Sequence, residues 1–205
     1  MANHHKLTLV IQAGGESRRM GEDKALKSFL GEPLIQRLVG RLKRLGEDMV
    51  IIARDPADYT FLGLPVHTDV QPGAGALGGL LTAMSVAQTP FVAVIACDLP
   101  FVNPELLIYQ WSIIQERGID VAIPSYNDEL QPYQAIYRVK TCSTAIRTAL
   151  RLGQHRVLSW LDQVVTYTIS PTEMRTFDAF GMAFLDLDTP DDFRLAEKVA
   201  RDYPV

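Results

Sequence analysis

The chain reads as short apolar runs alternating with segments of helical period. Leu7 to Gln12 is a continuous apolar run ended by Gly14 and Gly15, the pattern of a strand covered on both faces. Pro33 can open a helix, and Leu34, Ile35, Leu38, Leu42 and Leu45 recur on one helical face until Gly46 stops it. Met49 to Ala53 predicts a second strand, followed by a polar turn at Arg54, Asp55 and Pro56. A short third strand is predicted at Pro65 to Thr68, ending on Asp69. A glycine-rich loop from Pro72 to Gly79 then opens into a helix over Leu80 to Gln88. Phe91 to Ala96, the most apolar strand, runs into Cys97-Asp98-Leu99-Pro100.

Pro104 starts a helix through Glu105 to Arg117, with Gly118 as its stop. Ile119 to Ile123 predicts a strand and Pro124 to Pro132 a polar loop, after which Tyr133 to Arg138 alternates as a strand does. Helical patterns follow at Thr141 to Leu152 and Val157 to Leu161, parted by Gly153. Val164 to Ile169 predicts an edge strand and Phe184 to Leu187 a last short one. The final helix covers Asp191 to Arg201, with Thr189 at its N-cap, Pro190 at its first position and acids in its first turn. Strands alternating with helices imply an α/β fold with a mostly parallel sheet and helices on both faces, in a single domain over residues 1–205. In such sheets ligands gather at the carboxyl ends of the strands. The loops reached at Gly14, Asp69 and Asp98 are where chemistry is expected.

Composition narrows the class. A chain of 205 residues, 47% hydrophobic and 21% charged, can bury a core without disulfides or metals. A net charge of -4 argues against a nucleic-acid partner held by bulk electrostatics. No apolar run approaches the ~20 residues of a membrane span, and the first residues lack a signal peptide's cleavage pattern. Cys97 and Cys142 have neither zinc spacing nor a disulfide framework, so they are expected as reduced buried thiols in a cytoplasmic protein.

The first loop fits neither G-x-x-x-x-G-K-[ST] nor G-x-G-x-x-G. It offers unobstructed backbone N–H groups at Gly14 and Gly15, beside which Arg19 and Lys24 can lean on phosphate oxygens. A glycine turn with solvated charges explains any one of these residues, but poorly the whole set on one loop. Asp98 closes an apolar strand where core meets solvent, a place suited to a magnesium ligand. Asp186 and Asp188 supply two more carboxylates. One can join the metal, while Asp188 is also close enough to Thr189-Pro190 to serve only in capping. Among Arg147, Arg151, His155 and Arg156, the last is the candidate for holding a second anionic substrate, and Arg147 reads as part of a solvated face. Trp111 and Trp160 are expected in the core. No Ser-His-Asp or Cys-His arrangement is apparent.

Residues Ala13-Gly14-Gly15-Glu16-Ser17-Arg18-Arg19-Met20-Gly21-Glu22-Asp23-Lys24 resemble the signature A-G-G-x-S-x-R-M-G-x-D-K of the molybdenum cofactor guanylyltransferases, which belong to the Rossmann-like nucleotidyltransferases. The likeness continues at Gly31-Glu32-Pro33-Leu34, Gly75-Ala76-Leu77-Gly78-Gly79, Cys97-Asp98-Leu99-Pro100, Gln131-Pro132 and Asp188-Thr189-Pro190. The resemblance implies transfer of GMP from GTP to the phosphate of molybdopterin, releasing pyrophosphate, with Mg²⁺ as cofactor. It also implies molybdoenzymes or other proteins of the cofactor pathway as further partners.

Carried over by position, Gln12, Ala13, Gly14, Gly15, Lys24, Asp69 and Asp98 would form the nucleotide site, with Asp69 near the base or ribose. Lys24 would contact the phosphates, Arg19 would neutralise the departing pyrophosphate, and Asp98 would hold Mg²⁺. Gln12 stands where the family commonly has leucine, Ile52 where members can carry a guanine-reading asparagine, and Ala76 where proline is common. The Asp186-x-Asp188-Thr-Pro pattern resembles related cytidylyltransferases, whereas Gly14-Gly15 and Asp23-Lys24 favour the guanylyl branch. The alternatives are a cytidylyltransferase acting on the same pterin or another small phosphate acceptor, and a non-catalytic nucleotide or cofactor carrier.

Overall fold

The computed structural model describes residues 7–13, 23–46 and 48–202. Its centre is a sheet built from β1 (Leu7–Gln12), β4 (Met49–Ile52), β5 (Val66–His67), β6 (Phe91–Ala96), β7 (Val121–Tyr126), β9 (Gln134–Arg138) and β10 (Thr166–Ile169), in the order β10-β7-β9-β6-β1-β4-β5. β1 runs parallel to both β4 and β6, β4 to β5, and β7 to β10. Only β9 along that path is antiparallel to its neighbours. A separate small ribbon pairs β2 (Ser28–Phe29) with β3 (Glu32–Pro33).

Side chains leave a strand on alternate faces, and each face here has its own cover. Leu7, Leu9 and Ile11 of β1 pack with α1 (Leu34–Leu42) and α3 (Pro104–Arg117). Val10, Val50 and Ile52 pack with α2 (Gly75–Val86) and α4 (Val139–Arg151) on the other face. Two-sided cover is why Val92 to Ile95 form an unbroken apolar run that is fully buried. Each of its valine and isoleucine side chains contributes about 1.5–3 kcal/mol of burial. Asn103 caps α3 through the backbone N–H groups of Glu105 and Leu106, and left-handed Gly118 ends it. A third cluster joins α6 (Pro190–Asp202), through Phe193, Ala196 and Ala200, to Phe29, Phe101 and Leu187. No helix among the described residues is long and apolar enough to cross a membrane.

Four stretches depart from the expected pattern. The glycine-rich loop is already helical from Gly75, because Gly78 and Gly79 serve close packing rather than chain reversal. The polar stretch after Ile123 is a hairpin, with β8 (Glu129–Leu130) folding back on β7. Asn127 and Asp128 supply its two positive φ angles, 50° and 62°, as two-residue hairpin turns require. Val157 to Leu161 is not a helix. It is a turn that buries Trp160, whose indole N–H donates to the Val157 carbonyl at 2.8 Å, with a 3-10 helix beginning only at Leu161. Phe184 to Leu187 is not a strand either. This segment docks by a backbone bond from the Leu187 N–H to the Asp98 carbonyl (3.1 Å). The expected polar turn at Arg54, Asp55 and Pro56 leads into a further 3-10 helix, Pro56–Leu62, which Asp55 caps. Trp111, Cys97 and Cys142 are buried as expected, and both thiols are free.

Candidate active site

The sheet's hydrogen bonding carries one residue beyond β1 and β6. Ala13 N–H donates to the Ile52 carbonyl (2.8 Å) and Cys97 N–H to the Gln12 carbonyl (3.0 Å). Asp98 is thus the first residue past the ladder at the carboxyl edge, and its side chain is 26% exposed. Its own carbonyl accepts the Leu187 N–H, which draws the segment bearing Asp186 and Asp188 alongside. Lys24 arrives from elsewhere, on the 3-10 turn Lys24–Leu26, which Asp23 caps through the Ala25 N–H at 3.0 Å. Its ammonium donates to Asp188 Oδ1 and stands 3.7 Å from Asp98 Oδ2. Residues distant in sequence therefore meet around one amine.

The electrostatics follow from that meeting. Burial works against the Lys24 ammonium, but the hydrogen bond to Asp188 and the charge of Asp98 outweigh it and raise its pKa. Burial pushes the Asp98 carboxyl up, Lys24 pulls it down, and Asp186 and Asp188 push it up again, with a net rise. A desolvated carboxylate beside two others fits a hard divalent cation. Mg²⁺ usually takes only one or two protein carboxylates. Among the described residues, no group of three or more His, Cys, Asp or Glu side chains forms a metal cluster. Burial and the Asp98 charge raise the Cys97 thiol, so it stays protonated and is a poor nucleophile.

Asp188 does not cap the last helix. Thr189 and Asp192 cap it reciprocally: Asp192 N–H donates to Thr189 Oγ1 (3.2 Å) and Thr189 N–H to Asp192 Oδ2 (2.6 Å). The Asp188 carboxylate is left to Lys24. Asp186 is exposed and acts on Asp98 through its charge.

On the other face, Gln12 Nε2 donates to the Gly79 carbonyl at 2.6 Å, which ties the end of β1 to α2. Thr82 Oγ1 donates to Asp69 Oδ1 (3.1 Å) and accepts the Val70 N–H (3.1 Å), so Asp69 too is anchored on α2. Tyr133 donates its phenol proton to the Ala76 carbonyl (2.9 Å), and burial with the nearby Asp69 charge raises its pKa to about 12. Sequence spacing gave no sign of Tyr133, except that it opens an alternating strand beside β6. Ile52 is 1% exposed in the core under α2.

Arg156 is exposed on the turn after α4 and has no side-chain hydrogen bond or ion pair with a described residue. Arg147 and Arg151 line a cavity of about 490 Å³ with Gln71, Leu81 and Leu150. Gly14, Gly15 and Arg19 lie outside the described residues.

Cation, carboxylates and backbone at the carboxyl edge of a Rossmann-like sheet, with no activated nucleophile among the described residues, are the equipment of a nucleotidyltransferase. The sequence model of the MobA-like NTP transferase domain matches residues 9–166, and the chain belongs to that family. The "Probable molybdenum cofactor guanylyltransferase" of Pelotomaculum thermopropionicum is 36% identical over 193 residues, covering 94% of this chain and 93% of its own length. Its counterpart in Chloroflexus aggregans is 32% identical over 208 residues, covering 96% of each chain. The crystal structure of molybdopterin-guanine dinucleotide biosynthesis protein A from Archaeoglobus fulgidus superposes with a TM-score of 0.82 at 24% identity, over 96% of this chain and 100% of that one. At that identity the likeness shows a shared fold.

Proposed function

We propose that the chain, working as one nucleotidyltransferase domain, transfers GMP from GTP to the phosphate of molybdopterin. An oxygen of that phosphate attacks the α-phosphorus of GTP, the bond to the β-phosphate oxygen breaks, and pyrophosphate leaves. The observation that carries the reading is Lys24 held between Asp98 and Asp188 at the edge of β1 and β6. The full-length likeness to proteins named for this reaction supports it.

Such a transfer asks for positioning and charge neutralisation rather than a nucleophilic side chain. The attacking phosphate is already anionic, so no strong general base is required. Gln12, Ala13, Gly14, Gly15, Lys24, Asp69 and Asp98 form the nucleotide site, with Gly14 and Gly15 offering backbone N–H groups. Lys24 and Arg19 balance the charge that builds on the leaving pyrophosphate. Asp98 holds Mg²⁺, with Asp186 or Asp188 as the second carboxylate. The ion supplies Lewis-acid polarisation of the phosphates. Arg156 serves the acceptor phosphate.

Incubating the protein with Mg²⁺, molybdopterin and either GTP or CTP, and measuring pyrophosphate, tests this. Release with GTP is expected. Release with CTP alone overturns the base assignment, and GTP binding without release above background makes the protein a carrier.

A further inference from the structure

Tyr59 lies on the 3-10 helix Pro56–Leu62 that follows β4, between an Asp55 cap and left-handed Gly63. Its ring is fully buried, in the same core cluster as Leu9, Ile11 and Ala25. The hydroxyl donates to Asp23 Oδ2 at 2.5 Å. The other oxygen of that carboxylate, Oδ1, accepts the Ala25 N–H at 3.0 Å and so caps the turn carrying Lys24. Beyond that cap, the backbone bonds that hold the three-residue turn among the described residues are the local ones from Leu26 N–H to Asp23 O (3.1 Å) and from Lys27 N–H to Lys24 O (3.3 Å). So short a turn has little stability of its own. Ala25, fully buried, pins one side of it to the core, and Tyr59 pins the other through Asp23.

We infer that Tyr59 is a positioning residue: through Asp23 it fixes the turn that aims Lys24 at the triphosphate. The role of Lys24 rests on the proposed function; the link from Tyr59 to Lys24 rests on the contacts above. Burial and the hydrogen bond to Asp23 both raise the phenol's pKa, so its proton stays in place to be shared with that carboxylate. The device has a simple logic. An ammonium on a flexible side chain gains catalytic value only when its base is held, and here an aromatic ring locked in the core does the holding.

The test is a cycle of four proteins: wild type, Tyr59→Phe, Lys24→Ala and the double variant. Phenylalanine keeps the ring packing and removes only the hydroxyl, and thermal unfolding of each protein checks that it folds. Tyr59→Phe is expected to lower turnover with GTP, Mg²⁺ and molybdopterin about tenfold, the cost of a catalytic group held loosely. In the Lys24→Ala background the same change should have no effect within twofold, because the group it positions is gone. An equal loss in both backgrounds, or turnover of Tyr59→Phe within twofold of wild type, overturns the inference. Asp23→Asn, put through the same cycle, should behave as Tyr59→Phe does.

A second readout needs no turnover. The acetylation rate of Lys24 by acetic anhydride, read by peptide mass spectrometry against exposed Lys43, should rise about threefold or more in Tyr59→Phe as the turn loosens. An unchanged ratio overturns the positioning role. If wild type releases no pyrophosphate, the proposed function fails, and the acetylation ratio still decides the role of Tyr59.

Discussion

Replacing Gly78 by alanine places a methyl group where α2 meets the segment in front of it. The new Cβ would stand 2.6 Å from Ala74 Cβ and 3.2 Å from the Gln71 carbonyl oxygen. Carbon atoms in contact prefer about 3.5–4.0 Å, so one side must retreat by about 1 Å. Neither neighbour is the far end of a flexible side chain that could swing away. Overpacking of this kind costs about 1–3 kcal/mol, against a helix-propensity gain of about 1 kcal/mol for alanine over glycine. The net expectation is a loss of up to about 2 kcal/mol, or up to about 8 °C in Tm for a chain of this size.

Gly40 supplies the control. It sits exposed inside α1, with nothing within 4 Å of where a Cβ would stand. Gly40→Ala should therefore stabilise by about 0.5–1 kcal/mol and raise Tm by about 1–4 °C. Differential scanning calorimetry on the three proteins reads both shifts. The KM for GTP should rise only in Gly78→Ala, because its methyl pushes on residues 71–74 beside Asp69. A Gly78→Ala protein melting at or above wild type, in step with Gly40→Ala, would refute the claim that close approach fixes glycine there.

Lys24→Ala should lower kcat/KM about 30- to 800-fold, the equivalent of about 2–4 kcal/mol of transition-state stabilisation, in a pyrophosphate-release assay. Activity within twofold of wild type rules out its role at the phosphates. Asp98→Asn should raise the Mg²⁺ concentration for half-maximal activity by about tenfold or more, and an unchanged metal titration removes Asp98 from the metal site. Burial works against the Glu173 carboxylate, but hydrogen bonds from Ser170, Tyr167 and Tyr109 outweigh it and hold its pKa at about 2. Its stabilising contribution is full above its ordinary pKa near 4.5 and is lost as pH falls toward 2. Glu173→Gln should therefore cost about 1 kcal/mol at pH 7, discounted for solvent, with the urea midpoints of variant and wild type converging as pH falls from 4.5 toward 2; an undiminished gap at pH 2.5 contradicts the assignment.

The strands, the helices and the ligand edge of the sheet are legible in the sequence because burial imposes period on residues close together. Asp98 stands out for the same reason, as an acid at the end of an apolar run. Long-range geometry is not legible in this way. Gly78 and Gly79 read as loop by composition, yet they are helical glycines whose missing Cβ admits Ala74, the Gln71 carbonyl and the Gln12 amide. The run Phe184 to Leu187 has a strand's composition, but its backbone is claimed by the Asp98 carbonyl rather than by a neighbouring strand. Whether Asp188 caps or faces the lysine turns on Asp192 taking the capping role, which depends on side-chain geometry. Tyr59 and Asp23 lie 36 residues apart, and no periodicity joins them.

The location of the site follows from topology. From β1 the chain moves through α1 to β4 and then β5 on one side, and crosses back through α2 to lay β6 on the other side of β1. α1 and α2 consequently cover opposite faces. The reversal of strand order falls between β1 and β6, and open α/β sheets bind ligands in the crevice beyond the carboxyl ends at such a point. Gln12 and Ala13 end one strand there, Cys97 and Asp98 the other, joined by the Cys97 N–H to Gln12 carbonyl bond. The side chain of Gln12 is taken up by Gly79 and Ala13 has almost none, so the end of β1 presents chiefly backbone, while Asp98 presents charge. Lys24 must cross from the α1 side to reach that charge, which is why its turn needs anchors of its own in Ala25 and, through Asp23, Tyr59.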